Sequence, residues 1–158
     1  MKKLLAAGVA GLAVLAGCGN PDTENMDTPG RTLAAAPRSG PALVALGGTA
    51  KGPALVDGLG RALYLFAGDG ARRSSCDGDC ARMWPPYLTD GRPVAGAGVP
   101  GGRVGSVERA GGFQATYAGH PLYRFVKDRF PGDANGHGLH DFGDRWYLVG
   151  LDGRRVQR

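Results

Sequence analysis

Aromatic side chains are missing from the first 63 residues: all five Phe, five Tyr and two Trp lie between Tyr64 and Tyr147. That places the expected packed core in the second half of the 158-residue chain. No apolar run is long enough to cross a bilayer permanently; the longest, Leu4 to Ala16, is short and rich in small residues. Beyond it no stretch keeps a 3.6-residue apolar period, which argues against a helical domain. Nucleophile elbows, phosphate loops and His-Glu-x-x-His are all missing, so nothing in the chain points to an enzyme. Gly96-Ala97-Gly98-Val99-Pro100-Gly101 spells G-x-G-x-x-G by letter, but Pro100 and the missing strand-to-helix context make it a loop.

Glycine and proline are abundant, at 29 and 11 residues, and the chain is accordingly loop-rich. Lys2 and Lys3 precede the Leu4 to Ala16 run, giving residues 1–17 the form of a secretory signal peptide. Leu15-Ala16-Gly17-Cys18 follows with the form of a bacterial lipobox, in which cleavage before Cys18 exposes a cysteine for acylation. Two or three acyl chains make a stable anchor, at about 0.8 kcal/mol for each buried methylene. The expected protein is exported and held at a membrane through Cys18. Residue 19 is Gly rather than Asp, which by analogy with Gram-negative sorting favours the outer membrane; in a single-membrane host the site is the outer face of the cell membrane. Without residues 1–17 the chain carries 17 basic groups against 14 acidic ones, scattered along its length, so nucleic acid is not an expected partner, whereas an envelope protein is.

Residues 18–48 read as the lipidated cysteine and a flexible tether, rich in Pro, Thr, Ala, Ser and Gly. From residue 49 to 158, short apolar runs broken by Gly, Pro or Asp every ten residues or so predict an all-β domain, a compact antiparallel meander of barrel-like form. The expected strands are 42–46, 54–57, 62–67, 104–109, 113–117, 122–126, 146–150 and 154–156. Tight turns with positive φ are expected at Asp57-Gly58, Gly111-Gly112, Ala118-Gly119 and Asp152-Gly153.

The domain contains a repeat, with units at about 52–86 and 112–150. Leu63-Tyr64-Leu65-Phe66-Ala67-Gly68-Asp69 aligns with Leu122-Tyr123-Arg124-Phe125-Val126-Lys127-Asp128, and each unit runs on to a tryptophan, Trp84 or Trp146. In each strand Tyr and Phe are two apart and share the core face, while the Asp just past the strand can bind turn amides. Tyr64-x-Phe66-x-x-Asp69 and Tyr123-x-Phe125-x-x-Asp128 resemble the repeated Tyr-x-aromatic-x-x-Asp signature of a family of bacterial secreted lipoproteins of unknown function. The resemblance extends over Ser75-Cys76-x-Gly78-x-Cys80-Ala81-x-x-Trp84-Pro85-Pro86, Gln114-x-Thr116-Tyr117-x-Gly119-x-Pro121-Leu122-Tyr123 and Pro131-Gly132-Asp133-x-x-Gly136-x-Gly138. Arg109-Ala110-Gly111-Gly112 departs from it where an Asp-Gly turn would stand. The resemblance implies an exported, lipid-anchored, repeat-built protein and carries no catalytic residue.

With Cys18 assigned to lipid, Cys76 and Cys80 are the remaining thiols, and their spacing suits a disulfide across the Asp77-Gly78-Asp79 turn. A copper site or reactive thiols are the alternatives. Copper or an electron-transfer role would recruit His120, His137 and His140, the only histidines, although the 56 residues between Cys80 and His137 do not form a zinc-finger spacing. Attachment of c-type haem is excluded, since Ala81 follows Cys80. Asp133-Ala134-Asn135-Gly136, with Asp128 and Asp141, resembles part of a calcium loop but lacks the closing Glu, so Ca2+ is not expected. The leading expectation is a noncatalytic scaffold without a cofactor.

Overall fold

A computed structural model of the chain describes residues 40–157; Cys18 and most of the expected tether lie outside them. Strands β1 (Leu43–Thr49) and β2 (Gly52–Val56) form a hairpin, to which β5 (Val94–Ala95) adds in parallel along the other edge of β1. A second sheet has β10 (Asp144–Leu148) between β3 (Tyr64–Phe66) and β9 (His140–Asp141). The third sheet is centred on β7 (Gly112–Tyr117), flanked by β4 (Leu88–Thr89) and β6 (Val104–Arg109), with β8 (His120–Pro121) also paired to β7. One five-residue helix, α1 (Asp79–Met83), follows Gly78 and leads into Trp84. Among the described residues no helix is long and apolar enough to cross a membrane.

The all-β class and the repeat organisation stand, with the barrel-like form replaced by three separate sheets and no closed barrel. β1, Leu43–Thr49, overlaps the expected strand at 42–46. The expected strand at 122–126 is reduced to bridges from Tyr123 to Tyr64 and Pro86. Its amides still bond, Arg124 N to Pro85 O and Val126 N to Met83 O, but Pro85 and Pro86 have no N–H to return, so no regular ladder forms. The expected strand at 154–156 is a single bridge between Val149 and Arg155. At Asp57-Gly58 the positive φ falls instead on Gly60, because buried Asp57 Oδ1 accepts the amides of Leu59 and Arg61 and moves the reversal two residues on. The β7–β8 turn at Ala118-Gly119 does have positive φ at both positions, 48° and 86°, the pair a type I′ hairpin requires.

The core is not limited to the second half of the chain, since Val44, Ala54, Leu55 and Leu63 of the first half are fully buried in it, and strand alternation divides this interior into two clusters. Tyr64 and Phe66 point into an aromatic cluster while Leu65 between them points into a mainly aliphatic one that also holds Tyr87 and Tyr117. The second repeat does the same: Leu122 joins the aliphatic side, Tyr123 and Phe125 the aromatic side.

Candidate functional site

The aromatic cluster is built by exchange between the repeats. The backbones meet where Tyr64 N donates to Tyr123 O at 2.9 Å and Tyr123 N donates to Tyr64 O at 3.0 Å. From that bridge, the phenylalanine of each strand packs against the tryptophan of the other repeat, while the tyrosine meets the tryptophan of its own. Phe66 stacks on Trp146 (centroids 4.3 Å apart) and Phe125 on Trp84 (4.2 Å), and the two indoles stack on each other at 4.0 Å and 5°. Four rings thus form one continuous stack, with Tyr64 edge-on to Trp84 and Tyr123 edge-on to Trp146.

The motif carboxylates are exchanged in the same way. Tyr64 Oη donates to Asp128 Oδ2 at 2.6 Å, and Tyr123 Oη donates to Asp69 Oδ2 at 2.7 Å. Each Asp also accepts an amide from the loop that follows it: Ser75 N to Asp69 Oδ1, and Asn135 N to Asp128 Oδ1. Burial, reinforced at Tyr64 by the Asp128 carboxylate, pushes both phenols well above the ordinary tyrosine value, so both remain protonated donors. Burial likewise pushes Asp69 up, against the amide of Ser75 and the hydroxyl of Tyr123. Asp69 and Asp128 each hold a loop amide, and each also takes the tyrosine of the opposite repeat, a pairing that spacing within one repeat does not reveal.

Arg109, which the sequence presented only as a departure in a turn, is a hub. Its guanidinium donates to Ser74 Oγ, Gln114 Oε1, Cys76 O and Asp77 Oδ1, tying the β6–β7 hairpin to the loop beside Tyr123. Cys76 and Cys80 are joined in a disulfide across that loop, both buried. The disulfide occupies both sulfurs of the expected copper set. His137 Nδ1 accepts the amide of Leu148, His140 is exposed on β9, and His120 is exposed on β8. Among the described residues no three His, Cys, Asp or Glu side chains are grouped to hold a metal ion. In the calcium-like segment, Asp133 Oδ2 accepts the amides of Arg129 and Phe130, while Asp128 is shared by Tyr64 and Asn135. Residues 96–100 form a loop after β5, and Gly101 opens a three-residue 3-10 turn that leads into β6 rather than an α-helix.

The model of a family described as a secreted repeat of unknown function matches the chain twice, over residues 45–87 and 105–149. The chain belongs to that secreted-repeat family. Each matched stretch of the secreted repeat contains one tyrosine, one aspartate and one tryptophan of the exchanged set, so the family unit coincides with half of the aromatic stack. Membership makes this an exported protein. No curated protein and no solved structure matches the chain.

Proposed function

We propose that this secreted-repeat protein is a lipid-anchored envelope protein, tethered through Cys18, whose paired repeats are a noncatalytic scaffold for binding. The observation that carries this reading is the use of the signature inside the fold. Tyr64, Asp69, Tyr123 and Asp128 spend their polar atoms on each other and on loop amides, which is a framework role rather than a reactive one. What remains available for partners is the set of loops and grooves around that framework. The lipobox supplies the tether, and acylation places the domain at a membrane surface.

The test is mass spectrometry of the protein from its native membrane. Acyl chains on Cys18 support the reading, and a Cys18→Ser form released into the soluble fraction agrees with it. A Cys18→Ser form that stays equally membrane-bound contradicts it.

A further inference from the structure

Where two repeats share a framework, positions that break the correspondence are not demanded by the fold. The residue between the motif Tyr and Phe is such a position: Arg124 in the second repeat, Leu65 in the first. Arg124 closes its own surroundings. Its Nε lies 2.7 Å from Asp57 Oδ2, an ion-pair contact off the hydrogen-bond direction, and its guanidinium lies 4.5 Å from the centroid of Tyr87. Arg61 adds a second contact to the same carboxylate oxygen at 3.0 Å.

Around Leu65 the chemistry is inverted. The position matching Asp57 is Thr116, the position matching Arg61 is His120, and no carboxylate lines the space. What remains is an open groove of about 380 Å³, floored by Leu65, Ala67 and Tyr147 and rimmed by His120, Arg154 and Arg155. That volume is in the range of small-ligand sites. The rim is held in place: Val156 N bonds Leu148 O, Gly150 N bonds Arg154 O, and Arg155 Nη1 donates to Tyr147 Oη at 3.2 Å. Among the ion pairs of the described residues, none engages Arg154 or Arg155.

Arg155 also lies over the Tyr147 ring, 5.0 Å from its centroid, so Tyr147 fixes the guanidinium without neutralising it. An apolar floor beside guanidinium groups that no carboxylate pairs selects an anion with an apolar body. We propose that this groove binds a small amphiphilic carboxylate, an aryl or medium-chain acyl acid, with its apolar part on Leu65, Ala67 and Tyr147 and its charge at Arg154 and Arg155. This deepens the scaffold reading, and rests on it, by naming what the scaffold holds.

The test titrates the full-length protein, carried in phosphatidylcholine nanodiscs, with 2-naphthoate, and follows the fluorescence anisotropy of the naphthoate. Saturable binding is expected above the signal of empty nanodiscs. Arg155→Gln is expected to weaken it about tenfold, equivalent to ~1.4 kcal/mol. Ala67→Glu, a change at an exposed position that puts a negative charge on the floor, is expected to abolish it. Arg82→Gln, on the exposed face of α1, is expected to leave it unchanged. Competition by decanoate or by benzoate identifies the acyl or the aryl source. Binding that is absent, that is equal in the wild type, Arg155→Gln and Ala67→Glu, or that is matched by neutral 2-naphthamide overturns the proposal. An unacylated Cys18 removes the anchor but leaves this titration readable in plain buffer, so the two failures are distinguishable.

Discussion

The loop after the first motif strand and the loop after the second do the same job with different parts. Residues 69–75 return to the β7–β8 turn through Arg72 N, which bonds Gly119 O; residues 128–135 return to the Asp57–Arg61 turn through Gly132 N, which bonds Gly60 O. To make this bond one repeat uses glycine and the other uses arginine at φ 57°, in the left-handed region. After that, the first loop is fastened by the Cys76–Cys80 disulfide and by Arg109, the second by Asp133, which accepts the amides of Arg129 and Phe130, and by the close approach of Gly136 to Trp84. A Cβ on Gly136 would stand 2.6 Å from Trp84 Cη2, so that loop is packed directly on the stack. The difference teaches that the exchanged Tyr, Asp and Trp are the invariant part of the design in this chain, while the fasteners around them are interchangeable.

The tryptophans offer the largest break in the comparison. Trp84→Ala or Trp146→Ala is expected to cost about 3–5 kcal/mol, measured by urea unfolding, because either removes the middle of the ring stack. The conservative changes separate them: Trp146 Nε1 donates to Asp141 O, whereas Trp84 Nε1 is buried without an acceptor. Trp84→Phe is therefore expected to be the milder change, by ~1–3 kcal/mol.

Alkaline unfolding tests the paired phenols together. Because the folded values of Tyr64 and Tyr123 are raised, their contribution is complete below pH 10, the ordinary tyrosine value, and is lost as pH rises through the folded values. Stability is expected to fall above pH 10 by up to ~1.4 kcal/mol per pH unit for each of the two. Retaining the pH 8 stability at pH 11 breaks the account of both clasps at once. Replacing Cys76 and Cys80 by serine is expected to cost about 2 kcal/mol, since the loop closed is very short, and to leave the domain folded in thermal melts. The smallest effect is a gain. Arg72→Gly, which gives the first loop the residue used by the second, is expected to stabilise by up to about 1 kcal/mol through relief of the left-handed strain.

The sequence made the repeat and its faces legible, because Tyr64 and Phe66, or Tyr123 and Phe125, lie two apart and a strand puts such residues on one side. The β6 span, Val104–Arg109, was legible to the residue because it lies between two breaks, Gly101-Gly102 and Gly111-Gly112. The partner of each Asp was not, since spacing within a repeat says nothing about which repeat closes on it. Arg109 was legible only as an anomaly in a turn, because three of its four acceptors, on Ser74, Cys76 and Asp77, lie more than thirty residues away in the chain. The helix α1 was missed because five residues are too few to show a period. The strands β4, β5, β8 and β9 are two residues each and carry no pattern of their own.

The central claim, that each tyrosine is clasped by the carboxylate of the other repeat, is tested most directly by two double-mutant cycles read by urea unfolding. For Tyr64→Phe with Asp128→Asn, the cross-repeat pair, the account predicts a coupling of about 1.5–3 kcal/mol, the range of a hydrogen bond to a charged group. For Tyr64→Phe with Asp69→Asn, the pair within one motif, it predicts a coupling below about 0.5 kcal/mol. A large coupling inside the motif with none across the repeats would contradict it.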